Sequence, residues 1–282
     1  MQTLRHLSAL RERVRLIRAD GGSVALVPTM GALHDGHMAL VAAAKRQADA
    51  VIVSIFVNPK QFGPNEDFDA YPRTEARDAA MLAEAGVAVL WAPTPDQMYP
   101  DGFATTVLVA KLGDGLCGAA RPGHFDGVAT VVAKLFGQVQ PDIAVFGEKD
   151  WQQLAIIRRL TLDLDLPVEV IGVPTLREPD GLAMSSRNAY LSAEQRRSAV
   201  ALPDTLLWAV AAIEGGAPIA PVLAEASARI IAAGFAPPDY VACVDSSTLE
   251  PLETLDREAR IAAAARLGGT RLIDNHPVSP RK

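Results

Sequence analysis

VALVPTMGALHDGHMALVAAAKRQADAVIVSIFV, residues 24–57, is the stretch that decides the fold class. It begins with a short apolar run, Val24 to Val27, that stops at Pro28. It ends in a nearly continuous apolar, β-branched run, Ala50 to Val57. Runs of this kind are expected of strands covered on both faces of a parallel sheet. Between them Met38 to Ala48 reads as a helix, so the stretch is one strand-helix-strand unit. The alternation continues downstream: a helix near Arg73 to Ala85 before Val87 to Trp91, another near Val128 to Val139 before Ile143 to Phe146, then Gln152 to Leu164 leading into Val168 to Val173. This pattern predicts an α/β domain with a Rossmann-like, doubly wound, mostly parallel sheet, whose ligands sit beyond the carboxyl ends of the strands. Upstream, Leu4, Leu7, Leu10, Val14 and Ile17 fall at helical spacing.

From about Pro174 the texture changes. A loop rich in charge and small residues is followed by an alanine-rich helix from Ser192, a break at Gly215, Gly216 and Pro218, and short strands at Asp239 to Val244, Ile261 to Leu267 and Thr270 to Ile273. Gly268 and Gly269 join the last two as a hairpin. The division expected is residues 1–174 as the larger domain and 175–282 as a smaller α+β domain.

The 282 residues are 49% hydrophobic and 21% charged, the mix of a globular protein with a sizeable core. A net charge of −6 excludes the broad basic face that nucleic acid needs. No run approaches the roughly 18 apolar residues of a membrane span, and MQTLRHLSALRERVRLIRAD lacks the features of a signal peptide. Cys117 and Cys243 stand far apart without metal-site spacing. A reducing, cytoplasmic setting is expected.

Four polar segments follow predicted strands. In PTMGALHDGH (28–37) Gly31 and Gly36 admit a close ligand, and His34 and His37, three apart, share one face of a helical first turn. Imidazoles and backbone N–H groups at a helix start suit triphosphate oxygens; HExxH is absent. In SIFVNPKQFGPNEDFDAYPRT (54–74) Asn58 and Gln61 leave neutral amides at a strand end, while Pro64, Asn65 and Asp67 read as turn residues. In FGEKDWQQLAIIRRL (146–160) Lys149 is a compact cation for phosphate, Asp150 suits ribose hydroxyls, and Glu148 reads as a helix cap. In REPDGLAMSSRN (177–188) two serines and Arg187 supply phosphate donors.

These blocks, together with YPRT, GHFDGVATVV, DYVACVD and RLGGTRLIDN, resemble in order and spacing the pantoate–β-alanine ligase family, within the nucleotidyltransferases that carry a His-x-Gly-His motif. The resemblance implies a reaction of pantoate with Mg-ATP to an adenylate and pyrophosphate, followed by attack of β-alanine. It implies ATP contacts from Met30, Gly31, Ala32, Leu33, His34, Asp35, Gly36, His37, Gly147, Glu148, Lys149, Asp150, Leu176, Met184, Ser185, Ser186 and Arg187. Gln61 and Gln153 would hold pantoate, Gln61 would border the β-alanine site, and Asn58 stands beside them at the substrate. Of these, His34, His37, Lys149 and Arg187 are assigned to transition-state charge, and Mg²⁺ would be held mainly through the phosphates. A homodimer is implied as well. Lys60 and Trp151 depart from the family pattern, Lys60 bringing charge to the expected pocket mouth; Arg121 and His124 suit either pocket or structural roles. A nucleotidyltransferase releasing a dinucleotide-like product, and a non-catalytic nucleotide-binding module, are the rival readings.

Overall fold

The computed structural model of the chain describes residues 1–64 and 66–281, so Asn65, read above as a turn residue, lies outside the described residues. The first part of the chain runs β1 (Gln2–Leu4), α1 (Leu7–Ala19), β2 (Val24–Thr29), α2 (Asp35–Lys45), β3 (Ala50–Ile55), α3 (Glu75–Glu84), β4 (Val89–Trp91), α4 (Pro95–Met98), α5 (Cys117–Ala120), α6 (His124–Val139), β5 (Ile143–Gly147), α7 (Trp151–Asp163) and β6 (Glu169–Val173). The second part runs α8 (Ala193–Ser198), α9 (Ala201–Glu214), α10 (Ile219–Ala232), β7 (Tyr240–Asp245), β8 (Ala259–Leu267) and β9 (Thr270–Val278).

Among the described residues, β1 to β6 form one sheet in the order β1-β4-β3-β2-β5-β6, and every adjacent pair is parallel. Alternate residues of the apolar runs feed two cores. Val24, Leu26, Ile52 and Ala144 face α1, α6 and α7, whereas Ala25, Val27, Val53 and Val145 face α2 and α3. Double-sided burial is why these strands read as uninterrupted hydrophobics. In the second part α9 and α10 cover the antiparallel sheet β7-β8-β9 and enclose a separate core with Leu206, Ile213, Ile230, Ile261 and Ala263.

Three expectations need correction. Leu4 belongs to no helix; it lies in β1 and pairs with Trp91 at the sheet edge. The helix from Ser192 is two helices. Ser192 caps the first through a capping box with Gln195; Ala199 and Val200 keep helical dihedrals, but the hydrogen-bond ladder is interrupted before α9, where Pro203 has no N–H to give. β9 extends well beyond Ile273, pairing to Val278 as an edge strand, where Pro277 is tolerated.

Candidate active site

The strand order reverses at β2, which lies between β3 and β5. A crevice therefore opens beyond the carboxyl ends of β2 and β5, the place where doubly wound sheets hold ligands. The segments after β2, β3, β5 and β6 all converge there. They line a cavity of roughly 240 Å³ whose polar side chains include His34, His37, Gln61, Lys149, Gln153 and Arg187. Arg121, His124, Lys149, Asp150, Gln153, Ser185 and Arg187 also border a second hollow of roughly 360 Å³, reaching toward the small sheet.

The two histidines are built into the start of α2. His34 is the N-cap, and its Nδ1 accepts from the Gly36 N–H at 3.1 Å. His37 reciprocates, its Nδ1 accepting from the His34 N–H at 3.3 Å. Because both Nδ1 atoms accept, the neutral rings carry their protons on Nε2, and those N–H groups are the donors left for a ligand. The rings lie 4.1 Å apart. Burial, then the charges of Lys149 for His34 and of His34 and Lys149 for His37, hold both below the usual histidine range, His37 down to about 3. Gly36 is required by closeness: a Cβ there would stand 2.7 Å from His34 Cε1 and 2.8 Å from its Nδ1.

The same geometry already engages several backbone N–H groups of this segment. Gly31 N–H donates to Thr29 Oγ1. Ala32 and Leu33 donate to the Asp78 carboxylate at 2.8 and 3.0 Å. His37 N–H donates to the His34 carbonyl. These amides are already satisfied, and Ala32, Leu33 and Asp35 do not line the cavity, so the imidazoles are the donors that face it. Asp78 itself was missed. It is fully buried on α3, takes a third bond from Thr74 Oγ1, and holds Ala32 at φ 51°. Its signal in sequence is a carboxylate four residues before Leu82, on the helix's apolar face.

Beyond β3, Gln61 reaches the cavity with its amide Nε2 against Met30 Sδ at 3.1 Å and its Oε1 accepting from Asn58 Nδ2. Asn58 sits behind it, 1% exposed and outside the lining. It also donates to Gly127 O and accepts from Tyr99 OH and Lys60 N–H, so it orients Gln61 rather than meeting a ligand. α6 packs directly on this turn at Gly127, where a Cβ would fall 2.1 Å from Lys60 O. Arg121 and His124 brace the other side. Both bond the Gln61 carbonyl, at 3.2 and 2.8 Å, and Arg121 also pairs with Glu66. Burial and the Arg121 charge push His124 down to about 4. Lys60, expected at the pocket mouth, is turned away with its Nζ 5.3 and 5.2 Å from the Tyr99 and Phe103 rings. The cavity's other wall is apolar: Pro28, Met30, Phe62, Val131, Leu135 and Phe146.

Lys149 stands in the 3-10 turn Glu148–Asp150 and, among the described residues, its side chain has no hydrogen-bond or ion-pair partner. Glu148, by contrast, faces away and pairs with Arg260 at 2.8 Å. Gln153 lines the cavity, while its neighbour Gln152 is buried and bonded to Cys117 N–H and to the Leu112 and Gly115 carbonyls. Leu176, Met184, Ser185, Ser186 and Arg187 close the roof. Ser186 meets Tyr71 OH at 3.3 Å, and Arg187 donates Nε and Nη2 to Asp67, both at 3.0 Å. Burial opposes the Arg187 charge, but the Asp67 bonds outweigh it and raise its pKa.

Comparisons with known proteins match nearly the whole chain. A family model described as pantoate-beta-alanine ligase matches residues 2–277. A pantothenate synthetase of Sphingopyxis alaskensis is 62% identical, across 99% of this chain and 100% of the relative. The crystal structure of pantothenate synthetase from Thermus thermophilus superposes with a TM-score of 0.94 at 48% identity, covering 99% of this chain and 100% of that one. A pantoate-beta-alanine ligase from Francisella tularensis, complexed with beta-gamma ATP and beta-alanine, superposes with a TM-score of 0.81 at 34% identity, over 98% and 97%.

Proposed function

We infer a mechanism from one premise: this chain belongs to the pantoate–β-alanine ligase family. It catalyses the ATP-dependent condensation of pantoate with β-alanine to pantothenate, with AMP and pyrophosphate as the other products. The observation that carries the residue roles is the pair of neutral imidazoles locked by backbone bonds opposite a lysine that has no partner among the described residues, across the point where the strand order reverses.

In the first step a pantoate carboxylate oxygen attacks the α-phosphorus of ATP, and the bond to the β-phosphate oxygen breaks. Charge grows on the departing pyrophosphate. His34 and His37 Nε2–H, the Lys149 ammonium and the Nη1 edge of Arg187, which has no protein acceptor among the described residues, are placed to meet it. Both histidines act as hydrogen-bond donors rather than acids, since burial keeps them neutral. Gln61 and Gln153 hold the pantoate carboxylate and hydroxyls, with Asn58 fixing Gln61, and the apolar wall from Met30 to Phe146 receives the dimethyl carbon. Asp150 accepts from the ribose and Leu176 lies along the base. In the second step the amine of β-alanine attacks the acyl carbon of the pantoyl adenylate and AMP leaves.

Apart from Asp150, the polar side chains that line the cleft are neutral or cationic, a set that suits phosphate oxygens rather than a bare divalent cation, so Mg²⁺ would be held mainly by ATP oxygens and water. When bound, it neutralises phosphate charge. Residues 1–174 carry most of the nucleotide and pantoate contacts, and 175–282 act as a lid that brings Leu176 and Arg187 to the nucleotide, through the bonds of Ser186, Arg187 and Tyr190 to the Asp67–Tyr71 segment. A cytoplasmic enzyme is consistent with the finding that, among the described residues, no helix is long and apolar enough to cross a membrane. A homodimer is supported by the irregular stretch 104–109. It presents Thr105, Thr106 and Leu108 outward, and no backbone-backbone bond from it is formed within the chain among the described residues. Sedimentation showing only monomer would remove the dimer. AMP release that depends on both pantoate and β-alanine tests the overall reading; AMP formed without either substrate would overturn it.

A further inference from the structure

The RLGGTRLIDN block, residues 266–275, has no part in the mechanism above. β9 nevertheless carries it to the back of the site. Asn275 is buried, and both hydrogens of its side-chain amide go to main-chain oxygens of the turn after β5: Glu148 O at 3.0 Å and Lys149 O at 2.9 Å. Its Oδ1 accepts from Arg260 Nη1 at 2.7 Å, which fixes the amide's orientation, since carbonyls and guanidinium demand opposite ends. Arg260 in turn pairs with Glu148 and lies 3.5 Å over the Trp151 ring. The adjacent Asp274 anchors the strand on the other side. It binds Arg177 at 2.7 and 3.0 Å, and Arg177 also holds the Gly181 carbonyl at the base of the loop that bears Arg187.

We propose that Asn275 is a positioning residue for Lys149, acting from the small sheet across the boundary between the two parts of the chain. The proposal rests on the reading of Lys149 as the cation that meets the departing pyrophosphate. A lysine side chain is long and rotamer-rich, so its reach is defined only as well as its backbone is held. Here the backbone is a three-residue 3-10 turn, and Asn275 binds two consecutive carbonyls of it. The asparagine touches no reacting atom. It sets where the ammonium begins.

The test is a double-mutant cycle on the full chain, read as the single-turnover rate of pyrophosphate formation at saturating ATP and pantoate, with dissociation constants and melting temperature measured beside it. Asn275→Ala is expected to lower the saturated rate about 10- to 100-fold, the scale of a misplacement near 1 Å, while ATP and pantoate affinities stay near wild type. In a Lys149→Ala background the same change should add almost nothing, because its effect passes through the lysine. A normal saturated rate with only a lower melting temperature would make Asn275 merely structural and overturn the proposal, as would an undiminished loss in the Lys149→Ala background. If Lys149→Ala alone keeps the wild-type rate, the reading of Lys149 fails first, and that result is distinct from either. Should Asn275→Ala not fold, the cycle is run on Asn275→Ser, whose hydroxyl still serves one carbonyl and which should show a smaller loss that again vanishes without Lys149.

Discussion

Substituting Gly36 by alanine should separate catalysis from stability. The added Cβ would stand 2.7 Å from His34 Cε1, whereas carbon atoms rest no closer than about 3.5 Å, so the ring retreats by about 0.8 Å. That movement breaks the 3.1 Å bond from the Gly36 N–H to His34 Nδ1, which both caps α2 and aims Nε2–H into the cavity. Losing one preorganised donor typically lowers a rate by about 10²- to 10³-fold. The lost cap costs about 1 kcal/mol. Replacing a helical glycine by alanine restores about 0.5–1 kcal/mol, so net stability barely changes. Rapid-quench pyrophosphate rates at saturating ATP and pantoate, with thermal melts on the same samples, read both quantities. A variant that melts like wild type and adenylates at a near wild-type rate would refute the idea that the His34 ring must sit where Gly36 lets it.

The buried histidines make stability depend on pH. His37 and His124 titrate at about 3 and about 4 when folded, below the roughly 6.5 of an unfolded chain, so the unfolded state binds more protons and their contribution is full above about pH 6.5 and lost as pH falls. Each should add a slope of up to about 1.4 kcal/mol per pH unit below that value; denaturant titrations at neutral and mildly acid pH that agree would contradict it. Asp78→Asn keeps one side-chain oxygen and turns the other into an NH2 donor, so one of the Ala32 and Leu33 amides loses its acceptor, which should cost about 1–3 kcal/mol and weaken ATP binding, both readable by calorimetry; an unchanged ATP affinity would show that Asp78 does not shape the site. Hydrogen exchange at residues 182–188 should slow when ATP and pantoate bind together, and unchanged exchange with binding confirmed would argue against a lid.

Much of the large sheet was legible because burial on both faces leaves a compositional trace: Val24 to Val27 and Ala50 to Val57 have no polar face to show. Polar segments at strand ends were legible for a related reason, since they interrupt those runs. What escaped is polar chemistry settled by partners far away in sequence. Asp274 and Asn275 look like the end of a strand, yet β9 continues because Arg177 and the turn at Lys149 satisfy them. Asp78 falls on the apolar face of its helix, but what it binds is not legible until the Ala32 and Leu33 amides are placed against it. The spacing of His34 and His37 brought the imidazoles together, but it could not reveal that they consume the helix's own N–H groups. Asn58 could not be separated from Gln61 without knowing which amide faces the cavity and which stands behind it.

The central claim is that adenylation of pantoate precedes and does not require the amine. Its most direct test mixes the full chain, in excess over ATP, with pantoate and Mg²⁺ in a rapid-quench instrument, and follows pyrophosphate before β-alanine is added. The account predicts close to one pyrophosphate per bound ATP in a single exponential phase, with AMP appearing only after β-alanine joins. Pyrophosphate that fails to form until the amine is present would contradict the two-step mechanism and the roles assigned to His34, His37, Lys149 and Arg187 in its first step.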